Sequence, residues 1–304
     1  MTDSHESARA GYALGLTAFA LWGFMPLYFK LLAHVAPTDL VAQRILWSLI
    51  LMGGVIAWWR RWGAVRTALA QPKVVAILCA TAILIACNWL AYIFAVAHDQ
   101  VMAASLGYYL NPLVNVLLGV VLLHERLSRM QVCAVAIACV GVAALAAEAP
   151  TGLWISFVLA CSFAFYGLLR KIAPVETVEG LSIETALLAP VALGWVLWLH
   201  WHGTGSFGRD PLTDVLIVLS GAATAIPLLL FNAAAKRLTY SNLAFLSYIA
   251  PSLQLLLAVL VFGERLTPAH AICFGAIWMA LVLFSIDGVK NSRAAARERA
   301  AAGL

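Results

Sequence analysis

The sequence predicts an all-α membrane protein of ten transmembrane helices, arranged as two five-helix repeats of opposite orientation. Three observations carry that prediction: long apolar runs, the placement of the basic residues, and an internal repeat of odd spacing. Hydrophobic residues fill 63% of the 304 positions and charged residues 11%, whereas soluble domains carry roughly 25% charge. A water-soluble globule has no way to hide that much apolar surface. The runs reach about 18 residues or more, the length of a membrane-crossing helix. Backbone N–H and C=O groups in lipid must be paired internally, which leaves helices or closed barrels. These runs are too long and too unalternating for barrel strands.

Charges and turn residues place the helices near 11–33, 40–59, 74–97, 101–123 and 131–147, then 152–170, 180–201, 212–235, 241–263 and 268–287. The first run resembles a signal peptide, but a signal h-region spans roughly 7 to 15 residues, so this run is expected to stay as helix 1. Lys and Arg are retained on the cytoplasmic side. With the N-terminus inside, fifteen of the nineteen basic residues fall on inner segments, Arg209 and Arg265 fall outside, and Lys30 and Arg44 lie within helices. Both termini are therefore expected in the cytoplasm. The net charge of +5 is topological and predicts no nucleic-acid partner.

Residues 105–128 align without gaps on residues 244–267, with eight identities in twenty-four positions. The identities include Tyr109 with Tyr248, Pro112 with Pro251, and Glu125-Arg126-Leu127 with Glu264-Arg265-Leu266. An offset of 139 residues spans five crossings, so the second copy sits upside down. The expected organisation is a tail at 1–10, a first repeat at 11–148, an inverted second repeat at 149–288 and a basic tail at 289–304. Inverted repeats mark carriers whose site lies near the midplane where the halves meet.

Polar residues inside lipid are costly, about 2.5 to 3.5 kcal/mol for a centred Arg or Asp, so each needs a reason. Arg44 in helix 2 and Glu184 in helix 7 are related by the repeat, and sit at opposite depths. Arg44 has two readings, a snorkelling side chain that reaches the headgroups or a cavity cation. Glu184, with its short stem, is expected to face a cavity or clamp a neighbouring helix. Asn88, Asn111, Asn115, Asn232 and Gln254 are amides at depth, where interhelical hydrogen bonding competes with cavity lining. Tyr108, Asn111 and Asn115 share one helix face, and Asn88, Trp89 and Tyr92 form another polar-aromatic stretch. Such surfaces suit a flat organic ligand with a few polar groups. Trp58, Trp59, Trp62, Trp198 and Trp201 fall at helix ends as belt residues, whereas Trp22 and Trp89 lie deeper. Pro26, Pro112, Pro190, Pro227 and Pro251 interrupt helices and are candidate kinks or flexing points. Lys30, at the outer end of helix 1, is assigned no chemistry.

All six cysteines lie in apolar runs and are expected to be buried packing residues. No GxSxG, HExxH, Walker A or GxGxxG motif occurs, so no catalytic residue, cofactor or metal is expected, and any energy coupling would come from a proton or ion gradient.

The stretches WGFMPLYFK (22–30), QRILWS (43–48), NWLAYIFAV (88–96), ASLGYYLNPLVN (104–115), ERL (125–127), FAFYGLLRK (163–171) and IET (183–185) resemble the RarD branch of the EamA family, in the drug/metabolite transporter superfamily. The resemblance runs nearly the whole chain. It implies a ten-helix basket with a central cavity in a bacterial inner membrane. It also implies a solute among amino acids, aromatic metabolites and drug-like compounds. The matching positions carried over as cavity lining are Trp22, Arg44, Asn88, Trp89, Tyr108, Asn111, Tyr166 and Glu184, and the repeat adds Tyr248. Where the family has Glu before Ala-Ser-Leu-Gly-Tyr this chain has Ala103, so nothing is carried over there. The expectation is a secondary, non-ATP carrier of a small organic solute. A non-transporting membrane sensor or enzyme is the alternative.

Overall fold

The structure, a computed structural model, describes residues 2–123, 127–148, 150–235, 237–238 and 246–301. Among these residues the chain is all-helical: α1 (Thr2–Leu31), α2 (Pro37–Trp58), α3 (Trp62–Leu69), α4 (Pro72–Ala97), α5 (Val101–Leu123), α6 (Arg129–Glu148), α7 (Leu153–Ile172), α8 (Thr177–Trp201), α9 (Pro211–Ala235), α10 (Ile249–Leu260) and α11 (Pro268–Ala301). Four of them open on proline, whose fixed φ suits a first turn that has no use for its N–H. Reversals after α2, α4, α8 and α10 pass through left-handed residues, Arg60, Asp99, Gly203 and Gly263, the usual way to stop a helix.

Among the described residues seven spans are long and apolar enough to cross a membrane: those in α1 (from Arg9), α2, α4, α6, α7, α8 and α9. The apolar part of α11, Pro268–Leu283, and α10 are shorter, and α5 has 23 residues. The chain is a multi-pass membrane protein.

Several expectations need correction. The segment after α2, expected on the inner side, holds a further helix, α3, whose Val65 and Ala68 are buried. The N- and C-terminal tails are not separate from their helices, since α1 begins at Thr2 and α11 runs to Ala301. Loss of hydrophobicity was taken there for a helix end, yet the Ala- and Arg-rich C-terminal stretch is composed of strong helix formers. Residues 241–245 of the expected ninth crossing lie outside the described residues, as do Glu125 and Arg126 of the first ERL loop. Pro251 lies in the first turn of α10, just beyond a turn at Tyr248 that separates it from the helical residues 246 and 247, so the helix is interrupted there. Pro26, Pro190 and Pro227 do sit inside helices. Of the six cysteines, all unpaired, only Cys273 is buried, and Cys87, Cys133 and Cys139 are exposed. Outward helix faces in this protein meet lipid, so an apolar run does not imply a buried side chain.

The halves interdigitate. α1 packs on α9 as α7 packs on α4, α5 on α7 as α10 on α1, and α2 on α9 as α8 on α4. Across the centre α2 packs on α8, α5 on α10 and α6 on α11. The principal pairs are thus unchanged when α1, α2, α4, α5 and α6 are exchanged for α7, α8, α9, α10 and α11. Close approach is written into small residues. At Gly107 in α5 an added Cβ would lie 2.9 Å from the Ser156 carbonyl of α7.

Polar ties join helix ends. Asp39, at the start of α2, accepts the Ser206 N–H from beyond α8 at 2.9 Å, and Arg61, beyond α2, donates to Glu179 at the start of α8 at 3.0 Å. α2 and α8 are therefore antiparallel, each N-terminal carboxylate holding the segment that leaves the other. Near the Asp39 end, Lys30 pairs with Asp99 at 2.5 Å and His34 meets Thr213 at 3.0 Å. Each of these contacts joins segments that the basic-residue count assigns to one side.

Glu264, between α10 and α11, accepts the N–H groups of Val101 and Met102 at 2.6 and 3.0 Å, satisfying unpaired donors at the start of α5. Burial pushes its carboxyl above the ordinary carboxylate value of 4.5, and the two N–H groups partly oppose that. An acid raised in the folded state makes the protein more stable as pH falls from that raised value toward 4.5. Glu264→Ala is expected to cost about 1–2 kcal/mol, the scale of a lost cap, and to flatten the pH dependence of thermal unfolding in that window. Glu264→Gln keeps one acceptor and is expected to lose less.

Candidate functional site

Arg44 lies seven residues into α2, about 10 Å from its start at 1.5 Å per residue. It is 6% exposed, so it does not snorkel to the surface. Its Nε donates to Thr224 Oγ1 on α9 at 2.6 Å. The guanidinium carbon sits 4.5 Å from the Trp89 ring centroid (α4) and 5.3 Å from that of Phe29 (α1). Tyr92, one turn along from Trp89, has its ring 6.1 Å from Phe29 and 5.9 Å from Tyr108 of α5. The phenols of Tyr108, Tyr92 and Tyr28 are near enough to feel the Arg44 charge. The cation thus stands in an aromatic chamber built by α1, α2, α4, α5 and α9.

Aromatic faces and a hydroxyl solvate a cation without neutralising it. Each cation–π contact contributes about 0.5–2 kcal/mol, which offsets part of the desolvation cost. Among the described residues no carboxylate pairs with Arg44. Its two terminal nitrogens have no described hydrogen-bond partner, and they are not among the sealed polar atoms of the interior. Two nearby acceptors are open as well. The Tyr92 hydroxyl and Asn111 Oδ1, the latter one turn beyond Tyr108, are buried and unpartnered.

Asn88 does structural work beside the chamber. Its Nδ2 donates to the Leu159 carbonyl at 3.1 Å and to Ser162 Oγ at 3.0 Å, tying α4 to α7. Its Oδ1 accepts the Tyr108 hydroxyl at 3.4 Å and so orients that ring. Asn115 on the same face of α5 is exposed, and the Asn232 and Pro112 side chains lie outside the described residues.

Glu184 is in a different place. Seven residues into α8, with no exposed surface, it accepts Thr81 Oγ1 (α4) at 2.7 Å and the Tyr166 hydroxyl (α7) at 3.3 Å. Arg170 Nε stands 3.7 Å from it. The Arg170 guanidinium lies against α8 beside Gly180, in the space that a Cβ there would enter. The carboxylate binds α4 and α7 to α8, which is the clamp of the two roles expected for it. Arg44 and Glu184 each reach a threonine on the third long helix of the other half, Thr224 and Thr81.

The remaining expected residues are apart from Arg44. Trp22 packs with Phe19 and Phe231 at 5.4 and 5.8 Å, and its carbonyl accepts Gln254 Nε2 at 3.2 Å. Tyr248 stacks on Tyr109 with centroids 6.4 Å apart. The structure therefore brings Arg44, Trp89, Tyr108 and Asn88 together, with Asn111 adjoining, and Tyr166 with Glu184 in a second cluster, joined to the first by the Phe163 ring 6.2 Å from Tyr108 and 6.0 Å from Tyr166. Phe29, Thr224, Thr81 and Arg170 were missed. An apolar ring in an apolar run carries no signal, and Arg170 was counted only as an inner-surface charge. Lone threonines at depth in α4 and α9 were the usable clue. Two clefts, about 420 Å³ around His34 and Asp210 and about 280 Å³ around Asp99, Glu264 and His270, lie at helix ends away from Arg44. The site is placed by the unneutralised charge rather than by cleft size.

The chain is a multi-pass helical membrane protein with a buried cation among aromatic side chains, and the comparisons with known proteins give its class, a membrane transporter. Residues 9–147 match the model of the EamA-like transporter family. An uncharacterized transporter of Pseudomonas aeruginosa is 43% identical over 94% of this chain and 96% of its own. Protein RarD of Escherichia coli is 38% identical over 95% of this chain and 98% of its own. A chloramphenicol-sensitive protein RarD of Pseudomonas aeruginosa is 31% identical over 94% and 97%. A crystal structure at 24% identity covers 90% of this chain and 96% of its own with a TM-score of 0.57, a likeness of fold alone. The chain belongs to the RarD-type branch of the EamA-like transporter family.

Proposed function

We propose that the protein is a secondary carrier that moves a small organic solute across the bacterial inner membrane by alternating access. The observation that carries this reading is the unneutralised Arg44 cation in an aromatic chamber where α9 of the second half closes on four helices of the first. Arg170, by contrast, has a carboxylate beside it, Glu184 at 3.7 Å. A charge left open at depth in a membrane protein marks a substrate pathway. The packing pairs that survive exchange of the halves support ten crossings as two inverted repeats, the same-side polar ties support the grouping of the loops by side, and the basic-residue count places both termini in the cytoplasm. With no nucleotide motif, transport is facilitative or coupled to a proton or ion gradient. The solute class spans amino acids, aromatic metabolites and drug-like compounds, and the name of the chloramphenicol-sensitive relative fits the last of these.

Purified protein in proteoliposomes, screened with labelled amino acids and aromatic metabolites with and without a pH gradient, is expected to show saturable, competable flux. Ligand binding with no flux would instead make it a sensor. Orientation has its own test. Cysteines introduced at Asp99 and Gly208, in a background without native cysteines, are expected to react with an impermeant thiol reagent from outside intact cells. Labelling at either position only after permeabilisation would contradict the ten-crossing topology.

A further inference from the structure

We infer that the solute is recognised as an anion, and that the Arg44 chamber takes the carboxylate of a singly charged organic acid. The inference rests on the carrier reading and adds the class of cargo. Three observations converge on it. The Arg44 terminal nitrogens have no described partner, and together they present the planar fork that fits a carboxylate. The Tyr92 hydroxyl, on a side chain only 5% exposed, is buried with no partner of its own within electrostatic reach of Arg44, and as a donor it can serve the same anion. The walls are aromatic, so the acid's body meets Trp89, Phe29 and Tyr108 rather than water.

The same chamber argues against the other charge types. A cationic head would meet Arg44 with no described carboxylate to offset the repulsion, since Glu184 is held by Arg170, Thr81 and Tyr166. The faces of Trp89 and Phe29 already carry the guanidinium, so they offer little to a second cation. A zwitterionic amino acid would bury its ammonium unpaired, which is costly in a low-dielectric site. A neutral alcohol would leave Arg44 uncompensated. One cation matches one negative charge.

The test uses full-length protein in phosphatidylcholine nanodiscs and four probes that share a phenyl body: phenylpropionate, phenylpropanol, phenethylamine and phenylalanine. By calorimetry phenylpropionate is expected to bind about 10- to 100-fold more tightly than the alcohol, the scale of charge-assisted hydrogen bonds, and more tightly than the amine or amino acid. Arg44→Gln is expected to bring acid and alcohol within about twofold of each other, while Arg44→Lys keeps part of the preference because the charge remains. Tyr92→Phe, which deletes one hydroxyl, is expected to weaken the acid more than the alcohol, and it decides the matter if Arg44→Gln does not fold. No binding of phenylpropionate, tighter binding of phenethylamine, or a preference unchanged in both variants would overturn the inference. A lipid phosphate carries the same charge, so phosphatidylglycerol is added as a competitor. Displacement of the acid would make lipid the occupant and equally overturn it. Binding with this preference but without flux would sink the carrier and keep the anion site, whereas flux indifferent to Arg44 would do the reverse.

Discussion

Glu184→Leu is expected to destabilise the protein by about 3–5 kcal/mol, the cost of removing one partner of a buried ion pair and leaving the other. The substitution strips the acceptor from Tyr166 and one of two from Thr81, which keeps the Leu78 carbonyl, and leaves Arg170 against the α8 backbone with no counter-charge. Glu184→Gln keeps acceptor and size and is expected to lose about 1–3 kcal/mol, since only the charge goes. The double variant Glu184→Leu with Arg170→Leu is expected to recover much of the loss, because replacing both members of a buried pair is often close to neutral. Thermal unfolding in one detergent reads all three. A Glu184→Leu protein as stable as the parent would remove the clamp. Flux decides the second role: a folded Glu184→Gln carrier with a full response to a pH gradient excludes Glu184 as a proton site.

Arg44→Met is expected to behave in the opposite way. Burying an unpaired cation costs several kcal/mol, which two cation–π contacts and one hydrogen bond to Thr224 only partly offset. Removing the charge is therefore expected to leave stability unchanged or raise it by about 1–2 kcal/mol, while transport falls by at least about 100-fold, the loss expected when a site's charged anchor is removed. Stability kept and function lost identifies a residue held for its ligand. Parallel loss of both would make Arg44 a structural residue like Glu184.

These two residues also show what the sequence conveyed and where it stopped. Their shared repeat position, their opposite depths and the cost of charge in lipid singled them out before any coordinates. The helices followed from apolar runs, and most ends fell within a few residues because charges and prolines mark them. Partners were another matter. That Arg44 meets Trp89 and Phe29, whereas Glu184 meets Arg170, depends on how α1, α4 and α7 rotate about their axes. In a chain this apolar, hydrophobic periodicity does not report rotation, because lipid-facing and core-facing sides read alike. For the same reason Trp22 and Trp89 looked equivalent. Trp22 packs into a cluster with Phe19 and Phe231, and Trp89 carries the cation. The helical tails carry no hydrophobic signal, because helix propensity continues past the point where hydrophobicity ends.

As an alternating-access carrier the protein would open the Arg44 chamber to each side of the membrane in turn, and Asn111 tests this without knowledge of the solute. Asn111 lies ten residues into α5, about 15 Å from its start at 1.5 Å per residue and so near the midplane, and its Oδ1 is buried without a partner. Asn111→Cys, in a background with the native cysteines replaced, is treated with an impermeant sulfonate thiol reagent in right-side-out and in inverted vesicles. Alternating access predicts modification from both faces. Modification from one face only, or from neither, would contradict it.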